Sequence, residues 1–300
     1  MNRKLLMTAL MLLITFMAQA QVKIAPQLKK GMKMTYVIVS TTTMGSEEMK
    51  TDSEVEYVVS QESGDGYVID VTLTKLESGG GDDLMSRLMN ITEEMMKGVT
   101  IKTKTDKDGK PVGVVNWEEV KTGTTKTANK MLDEIYAKNP DVAQLMPKEK
   151  LMSQAEANLT EEAILNSYLA TPTNALVLNG KTVANMAQDT YVNTQKIKMK
   201  RMYFVAKDGK TITTNSQSDM SKEELKEFII KQVEENMPDQ ADMIKQNIDA
   251  VLSSGMLKIE GKEKAVYTLQ DNGWLKSVDM TQELNLMGQA ISLKAVMTVK

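Results

Sequence analysis

Apolar and polar residues alternate along several stretches of this chain, which is the pattern of β-strands with one buried face. The alternation is clear in residues 67–74 and again in residues 291–300. Residues 55–59 precede the first stretch, and the turn-forming residues 62–66 between them predict a hairpin. Three more hairpin turns are predicted where glycine follows aspartate or asparagine, at Asp108-Gly109, Asp208-Gly209 and Asn272-Gly273.

Other stretches place apolar residues three and four positions apart, which predicts amphipathic helices. The predicted helical regions are 82–98, 116–138, a third within 153–170, one opening after Ser221, and one over 238–255. Ser221 and Glu224 have the spacing of a capping box, in which each side chain accepts a hydrogen bond from the other residue's backbone N–H.

Strands thus come first, then helices, then a second round of strands, helices and strands. Antiparallel hairpins with helices grouped between them predict an α+β fold. We expect a strongly curved antiparallel sheet, resembling a half-barrel, that clasps the amphipathic helices. Residues 21–300 are expected to form a single domain, or two lobes that meet near Thr171.

Residues 1–20 have the sequence features of a secretory signal peptide. Arg3 and Lys4 supply the basic start, and residues 5–16 are uncharged and mostly apolar. That run is shorter than the roughly 20 residues a membrane-spanning helix needs. The sequence therefore predicts a cleaved leader, with a membrane anchor as the alternative.

The expected cleavage site follows from small residues at Ala18 and Ala20, which place the mature N-terminus at Gln21. The chain contains no cysteine, so lipid attachment at a cysteine after the leader is excluded. We expect export to the periplasm or the medium as a protein that neither spans the membrane nor carries a lipid anchor.

Composition excludes several classes of function. The chain has no histidine and no cysteine, which removes Ser-His-Asp and Cys-His nucleophiles, the usual zinc ligands and any disulfide. The formal net charge is −3, and loss of Arg3 and Lys4 makes it more negative, which argues against nucleic-acid binding. No catalytic residue, metal site or cofactor is predicted, and an enzyme would have to rely on carboxylates, a Ser-Lys pair or tyrosine.

Methionine is unusually abundant, with 25 residues against three phenylalanines. Its flexible, polarisable side chain suits adaptable apolar surfaces. One interpretation is an apolar ligand site on the predicted helix 82–98, with the wall formed by Leu84, Met85, Leu88, Met89, Met95 and Met96. The alternatives are that methionine simply replaces leucine or phenylalanine in the core, or that thioethers bind Cu(I).

The chain also resembles a family of exported Bacteroidota proteins known only as a domain of unknown function. The resemblance rests on the sequence Leu28-Lys29-Lys30-Gly31 with Tyr36 after it, on the two-strand region 55–76, and on Gly273-Trp274-Leu275 before the last strands. It implies no functional residues, because that family has no known activity. Its general look is similar to the half-barrel of periplasmic lipoprotein carriers, which is an analogy of fold alone.

These observations lead to three candidate functions. The first is a non-enzymatic, lipid-carrier-like protein that binds an apolar or amphiphilic molecule. The second is an envelope scaffold or protein-interaction module without a ligand cavity, and the third is a carboxylate-based enzyme. A cavity between the sheet and its cover favours the first, whereas a completely filled interior favours the second.

Overall fold

The fold is described from a computed structural model of the chain. It describes residues 21–79, 91–138, 140, 147–193, 195–236, 241–253, 259–286 and 289–300. The predicted signal peptide, including Ala18 and Ala20, lies outside these residues, and Gln21 is the first of them. Cleavage before Gln21 therefore remains a prediction.

Thirteen strands are present in the described chain. They are β1 Val22–Lys23, β2 Lys33–Met44, β3 Glu47–Ser63, β4 Gly66–Ser78, β5 Thr100–Asp106, β6 Pro111–Val114, β7 Thr182–Val183, β8 Gln188–Val192, β9 Lys198–Val205, β10 Thr211–Ser218, β11 Ile259–Leu269, β12 Leu275–Leu286 and β13 Gln289–Val299. β1 pairs with β7, and the remaining 11 strands form one antiparallel sheet in the order β6-β5-β4-β3-β2-β13-β12-β11-β10-β9-β8.

The helices lie between groups of strands. They are α1 Ile91–Met96, α2 Trp117–Lys138, α3 Lys148–Asn158, α4 Glu161–Ala163 with a π-helical turn at Ile164–Tyr168, α5 Lys222–Asn236 and α6 Ala241–Ser253. The capping box at the start of α5 is confirmed. The Ser221 backbone N–H donates to the Glu224 carboxylate at 2.8 Å, and the Glu224 N–H donates to the Ser221 hydroxyl at 3.1 Å.

The large sheet consists of two meanders that meet at its centre. Strands β2 to β6 extend outward in one direction, and β13 back to β8 extend in the other. The junction is the β2–β13 pair, in which Tyr36 lies opposite Val299 and Met44 lies opposite Ile291. β6 and β8 are the two edges, so the described sheet is open.

The predicted hairpins are confirmed. β3 and β4 meet at Ser63 and Gly66, and the three Asx-Gly pairs lie in the turns after β5, β9 and β11. Gly109, Gly209 and Gly273 have φ values of 80, 68 and 82°, which other residues adopt only with strain. A Cβ at Gly273 would also lie 3.0 Å from the Cα of Pro26. That turn requires glycine for space as well as for backbone geometry.

Alternate residues of each strand form one buried side of the sheet, which we call the inner face. In β11 the buried residues are Gly261, Glu263, Ala265, Tyr267 and Leu269. Their neighbours Lys262 and Lys264 are exposed on the opposite, outer face. The sheet therefore has one apolar side to be covered and one side in contact with solvent.

Part of the inner face is covered by the connection between α4 and β7. Leu169 and residues 175–178 of this connection, together with Val183 of β7, are buried against inner-face side chains in the main hydrophobic cluster. The backbone N–H of Ala175 donates to the Tyr57 hydroxyl at 3.2 Å, which anchors the connection to β3. Its course over the sheet determines which part of the inner face is filled.

The helices pack in separate places. Val120 of α2 joins the main cluster, while Ala128 and Leu132 further along α2 pack with Met152 of α3. α5 and α6 pack on each other in a cluster of their own around Ile229 and Ile248. The predicted α+β class and antiparallel sheet are confirmed, but these contacts do not show helices clasped by the sheet. No helix in the described ranges is long and apolar enough to cross a membrane.

Candidate functional site

The part of the inner face left open by the connecting segment forms a cavity of about 390 Å³. Its floor is made of inner-face residues from six neighbouring strands, β4, β3, β2, β13, β12 and β11. It is bounded on the other sides by Asn166 and Tyr168 of the π-helical turn, by residues 170–174 of the connection, and by Tyr191, Val192, Asn193 and Gln195 at the end of β8 and just after it. Because strands lie about 4.8 Å apart, the floor spans roughly 24 Å.

Most of the floor is apolar. The apolar side chains include Val55, Leu73, Leu76, Met280, Leu284, Ile291, Leu293 and Ala295, and small hydroxyl residues such as Ser40 and Ser53 lie among them. The volume is within the range of small-molecule pockets and equals about a dozen water-sized groups. An elongated apolar chain fits such a floor better than a compact polar molecule does.

One end of the cavity is polar, and the register of the sheet explains why. Asp189, Arg201, Ser216, Glu263 and Gln282 occupy successive positions of one cross-strand row from β8 to β12. The same row continues across β13, β2 and β3 through apolar or weakly polar side chains, at Leu293, Thr42 and Met49. The cavity therefore has polar groups at one end and an apolar wall at the other.

The outermost part of this row is an ion pair in which Arg201 is buried and Asp189 is partly exposed. Arg201 donates two hydrogen bonds to Asp189, from Nε to Oδ1 at 2.9 Å and from Nη2 to Oδ2 at 2.7 Å. The Tyr203 hydroxyl donates to Asp189 Oδ2 at 2.8 Å. The guanidinium also lies 4.5 Å from the ring centre of Tyr191 and 5.0 Å from that of Tyr203, which are cation–π distances.

These contacts shift the acidity of the groups involved. Burial acts to raise the pKa of Asp189, but the hydrogen bonds and charge of Arg201 outweigh it and lower that pKa below its usual range. Burial, with the nearby charge of Arg201, lowers the pKa of Lys181 to about 8. The Lys181 ammonium lies 3.9 Å from Asp189 Oδ2 and 3.3 Å from the Tyr203 hydroxyl.

Glu263 is the next charged residue along the row and lines the cavity itself. It is only 5% exposed. Its carboxylate accepts a hydrogen bond from the Tyr191 hydroxyl at 2.8 Å and a longer one from Gln282 Nε2 at 3.4 Å. Burial raises the pKa of Glu263 above its ordinary value because the charged form loses hydration there.

Asn193 adds an unsatisfied polar group to the same end of the cavity. Its side-chain oxygen accepts hydrogen bonds from the backbone N–H groups of Gln195 at 3.1 Å and Ile197 at 2.9 Å. Because the amide oxygen faces these two N–H donors, the amide nitrogen Nδ2 must lie on the opposite side. Its Nδ2 is buried and has no hydrogen-bond partner among the described residues.

A second depression, of about 500 Å³, lies on the outer face and has a different lining. Its lining consists mainly of exposed polar side chains, including Lys200, Asn215, Lys264 and Glu283. Met202 is the one apolar residue among its described lining residues, so we regard the inner-face cavity, with its apolar floor, as the candidate site. Within the described ranges, no three acidic side chains are grouped to hold a metal ion.

The methionine-rich site expected on helix 82–98 is only partly within the described residues. Leu84, Met85, Leu88 and Met89 lie outside them. Met96 is buried in the main cluster and accepts a contact from the Thr124 hydroxyl at 3.5 Å. Met95 packs against the cluster formed by α2 and α3. Neither lines the cavity, whose methionines are Met49 and Met280.

Sequence reasoning missed the polar end of the cavity, although a signal for it was present. Glu263 has the same strand phase as Ala265 and Tyr267, and Arg201 has the same phase as Met199 and Tyr203. A charged residue in the apolar phase of a strand indicates a buried charge, which needs a partner. Nothing local to β11 or β9 indicates which partner it finds.

Comparisons with known proteins do not assign a function to this site. No known protein family matches the sequence, and neither does any curated protein. Among solved structures, the chain is similar to a structure of lipovitellin that concerns its lipid–protein interactions, with a TM-score of 0.45 and 8% identity. The alignment covers 91% of this chain and 25% of the lipovitellin chain, so this chain spans about a quarter of that protein. A likeness this distant assigns no function.

Proposed function

We propose that this chain is an exported protein that binds an apolar or amphiphilic molecule, in the manner of a lipid carrier, in the cavity on the inner face of its sheet. The observation that carries the proposal is the continuous floor of the cavity, which crosses six strands and is mostly apolar. Burying an alkyl chain there would be favourable by about 0.8 kcal/mol for each methylene group.

The way the inner face is covered supports binding over a purely structural role. The connecting segment fills one part of the face, around Tyr57, with its own apolar side chains. Over the neighbouring part, the same segment lines the cavity without filling it. A scaffold would gain stability from a filled interior, whereas a binding protein needs such a space.

A pair of substitutions on adjacent residues of β2 tests the proposal. Ser40 lines the cavity, and its neighbour Val39 is 47% exposed on the outer face. Ser40→Phe places a phenyl ring in the cavity, and Val39→Phe places the same ring in solvent. Binding of N-phenyl-1-naphthylamine, a neutral apolar probe that fluoresces when buried, is measured by titration of the purified mature protein.

We expect saturable binding by the unaltered protein, at least fivefold weaker binding by Ser40→Phe, and unchanged binding by Val39→Phe. Thermal unfolding of both variants would confirm that they remain folded. The proposal fails if the unaltered protein shows no saturable binding, or if the two substitutions change binding equally.

A further inference from the structure

The cavity has an uneven charge distribution that restricts what it can bind. Among its described lining residues, Glu263 is the only one with a charged side chain. The adjacent lysines in sequence, Lys262 and Lys264, are exposed on the outer face. An anionic head group such as a carboxylate or phosphate would therefore meet a buried acid and no basic side chain.

Among the residues that the structure describes, Glu263 also lacks an ionic partner. No lysine or arginine of the described chain forms an ion pair with it. Arg201 is the basic residue of the row, two strands away on β9, and its charge acts to lower the Glu263 pKa. Its hydrogen bonds, however, go to both oxygens of Asp189. The hydrogen bonds that Glu263 accepts come from neutral donors, the Tyr191 hydroxyl and the Gln282 amide.

A buried carboxylate without a cation is unfavourable, so such groups either take up a proton or acquire a positive partner. The raised pKa of Glu263 expresses the same cost. An ammonium group entering the cavity would supply the missing charge and could donate to both carboxylate oxygens. Hydrogen bonds between charged groups are shorter and stronger than neutral ones.

The surroundings of Glu263 are arranged for a polar group of a ligand. Asn193 lines the same cavity with a buried amide nitrogen that has no partner in the described chain. Tyr191 is held in place by its hydrogen bond to Glu263 and by the Arg201 guanidinium over its ring. The polar end is therefore held by internal contacts but incompletely satisfied, which is typical of binding sites before the ligand arrives.

We infer that the ligand is an amphiphile with a positively charged amine head, which pairs with Glu263 while its alkyl chain lies along the floor towards Leu293 and Met49. This inference rests on the proposed function, because it specifies the ligand class of the same cavity. The sheet register sets the orientation, since the polar and apolar parts of one cross-strand row are adjacent.

The test compares three ligands that share one alkyl chain. Dodecylamine, 1-dodecanol and dodecanoate, each below the concentration at which it forms micelles, compete with bound N-phenyl-1-naphthylamine at neutral pH. A primary amine is protonated there, as a lysine side chain is. The variants are Glu263→Gln, which removes the charge with little change of shape, and Glu283→Gln, a matched control on the exposed face of β12.

We expect dodecylamine to bind about tenfold more tightly than 1-dodecanol, a difference of about 1.4 kcal/mol, and dodecanoate to bind most weakly. The amine preference should disappear in Glu263→Gln and persist in Glu283→Gln. Equal binding of amine and alcohol, or tighter binding of dodecanoate, overturns the amine assignment and leaves the cavity's binding function intact. If no ligand displaces the probe and the probe itself does not bind, the proposed function fails as well. The comparison of ligands on the unaltered protein is decisive even if Glu263→Gln does not fold.

Discussion

Replacing Asp189 with asparagine should destabilise the protein by about 3 kcal/mol, because it leaves the Arg201 guanidinium buried without a counter-charge. The two side chains differ in exposure, at 6% for Arg201 and 38% for Asp189. Removing one partner of a buried ion pair typically costs 3–5 kcal/mol. We expect a loss of unfolding free energy near the lower end of that range, because Asp189 is partly hydrated.

The opposite change should cost less. In Arg201→Met, Asp189 stays partly hydrated and keeps its hydrogen bond from Tyr203, with the Lys181 ammonium 3.9 Å away. The main loss is the stacking of the guanidinium on the Tyr191 and Tyr203 rings, which we place at about 1–2 kcal/mol. The double variant should be about as stable as Arg201→Met alone, which corresponds to a coupling of about 3 kcal/mol.

Urea unfolding followed by tryptophan fluorescence measures these free energies of unfolding. Asp279→Asn on the exposed face of β12 is the matched control and should change the free energy by less than about 0.5 kcal/mol. If Asp189→Asn costs no more than this control, or if the coupling is below about 0.5 kcal/mol, the ion pair does not stabilise the polar end of the cavity as argued.

Two further predictions concern the carboxylate of the cavity and the leader. The folded state raises the pKa of Glu263 above its ordinary value of 4.5, so the folded protein binds this proton more tightly than the unfolded chain does. The contribution of Glu263 to the free energy of unfolding therefore falls as the pH rises above 4.5. Glu263→Gln should therefore be more stable than the parent at neutral pH, and the difference should vanish in acid. Urea unfolding at several pH values checks this, and an unchanged difference across pH would show that Arg201 and Tyr191 already offset the charge. N-terminal sequencing of protein recovered from the host's envelope or medium should begin at Gln21, and recovery of an intact Met1 there would contradict export by a cleaved leader.

Features encoded by neighbouring residues were predictable from the sequence. The Asx-Gly turns and the Ser221 capping box depend on a few adjacent side chains and their backbone angles, so the pattern alone located them. The one-sided strands were readable for the same reason, since alternation reports directly which residues share a face.

Features that depend on distant pairing were not predictable in this way. The row from Asp189 to Gln282 exists only because β8 to β12 pair in one particular register. The alternation places Glu263 on the inner face, but it does not place Tyr191 beside it. The boundary of the cavity depends likewise on the path of the connecting segment, which lacks a regular hydrophobic period.

The methionine hypothesis shows a different limit. Composition identified an adaptable apolar side chain in excess, but composition does not distinguish a methionine in a cavity wall from one in a packed core. Met96 is 3% exposed within the main cluster, whereas Met49 and Met280 line the cavity. The two environments differ in what lies opposite the side chain, and that depends on the tertiary fold.

The central β2–β13 pair also has a consequence for the order in which the molecule assembles. Tyr36 of β2 donates its hydroxyl to the backbone oxygen of Leu275, which is 239 positions away in sequence. Closing a flexible loop of that length costs roughly 5 kcal/mol of chain entropy before any contact offsets it. Each meander, in contrast, is built from short hairpins that can form locally.

We therefore expect the two meanders to form first, which shortens the effective loop, and the central pair to join last. Until residues 289–299 are available, the edge of β2 that pairs with β13 has no partner, and the cavity floor lacks β13. A chain that crosses a membrane through a translocation channel must do so before it is folded. If this chain is exported as proposed, its topology delays completion of the cavity until nearly all of residues 21–300 have emerged on the far side.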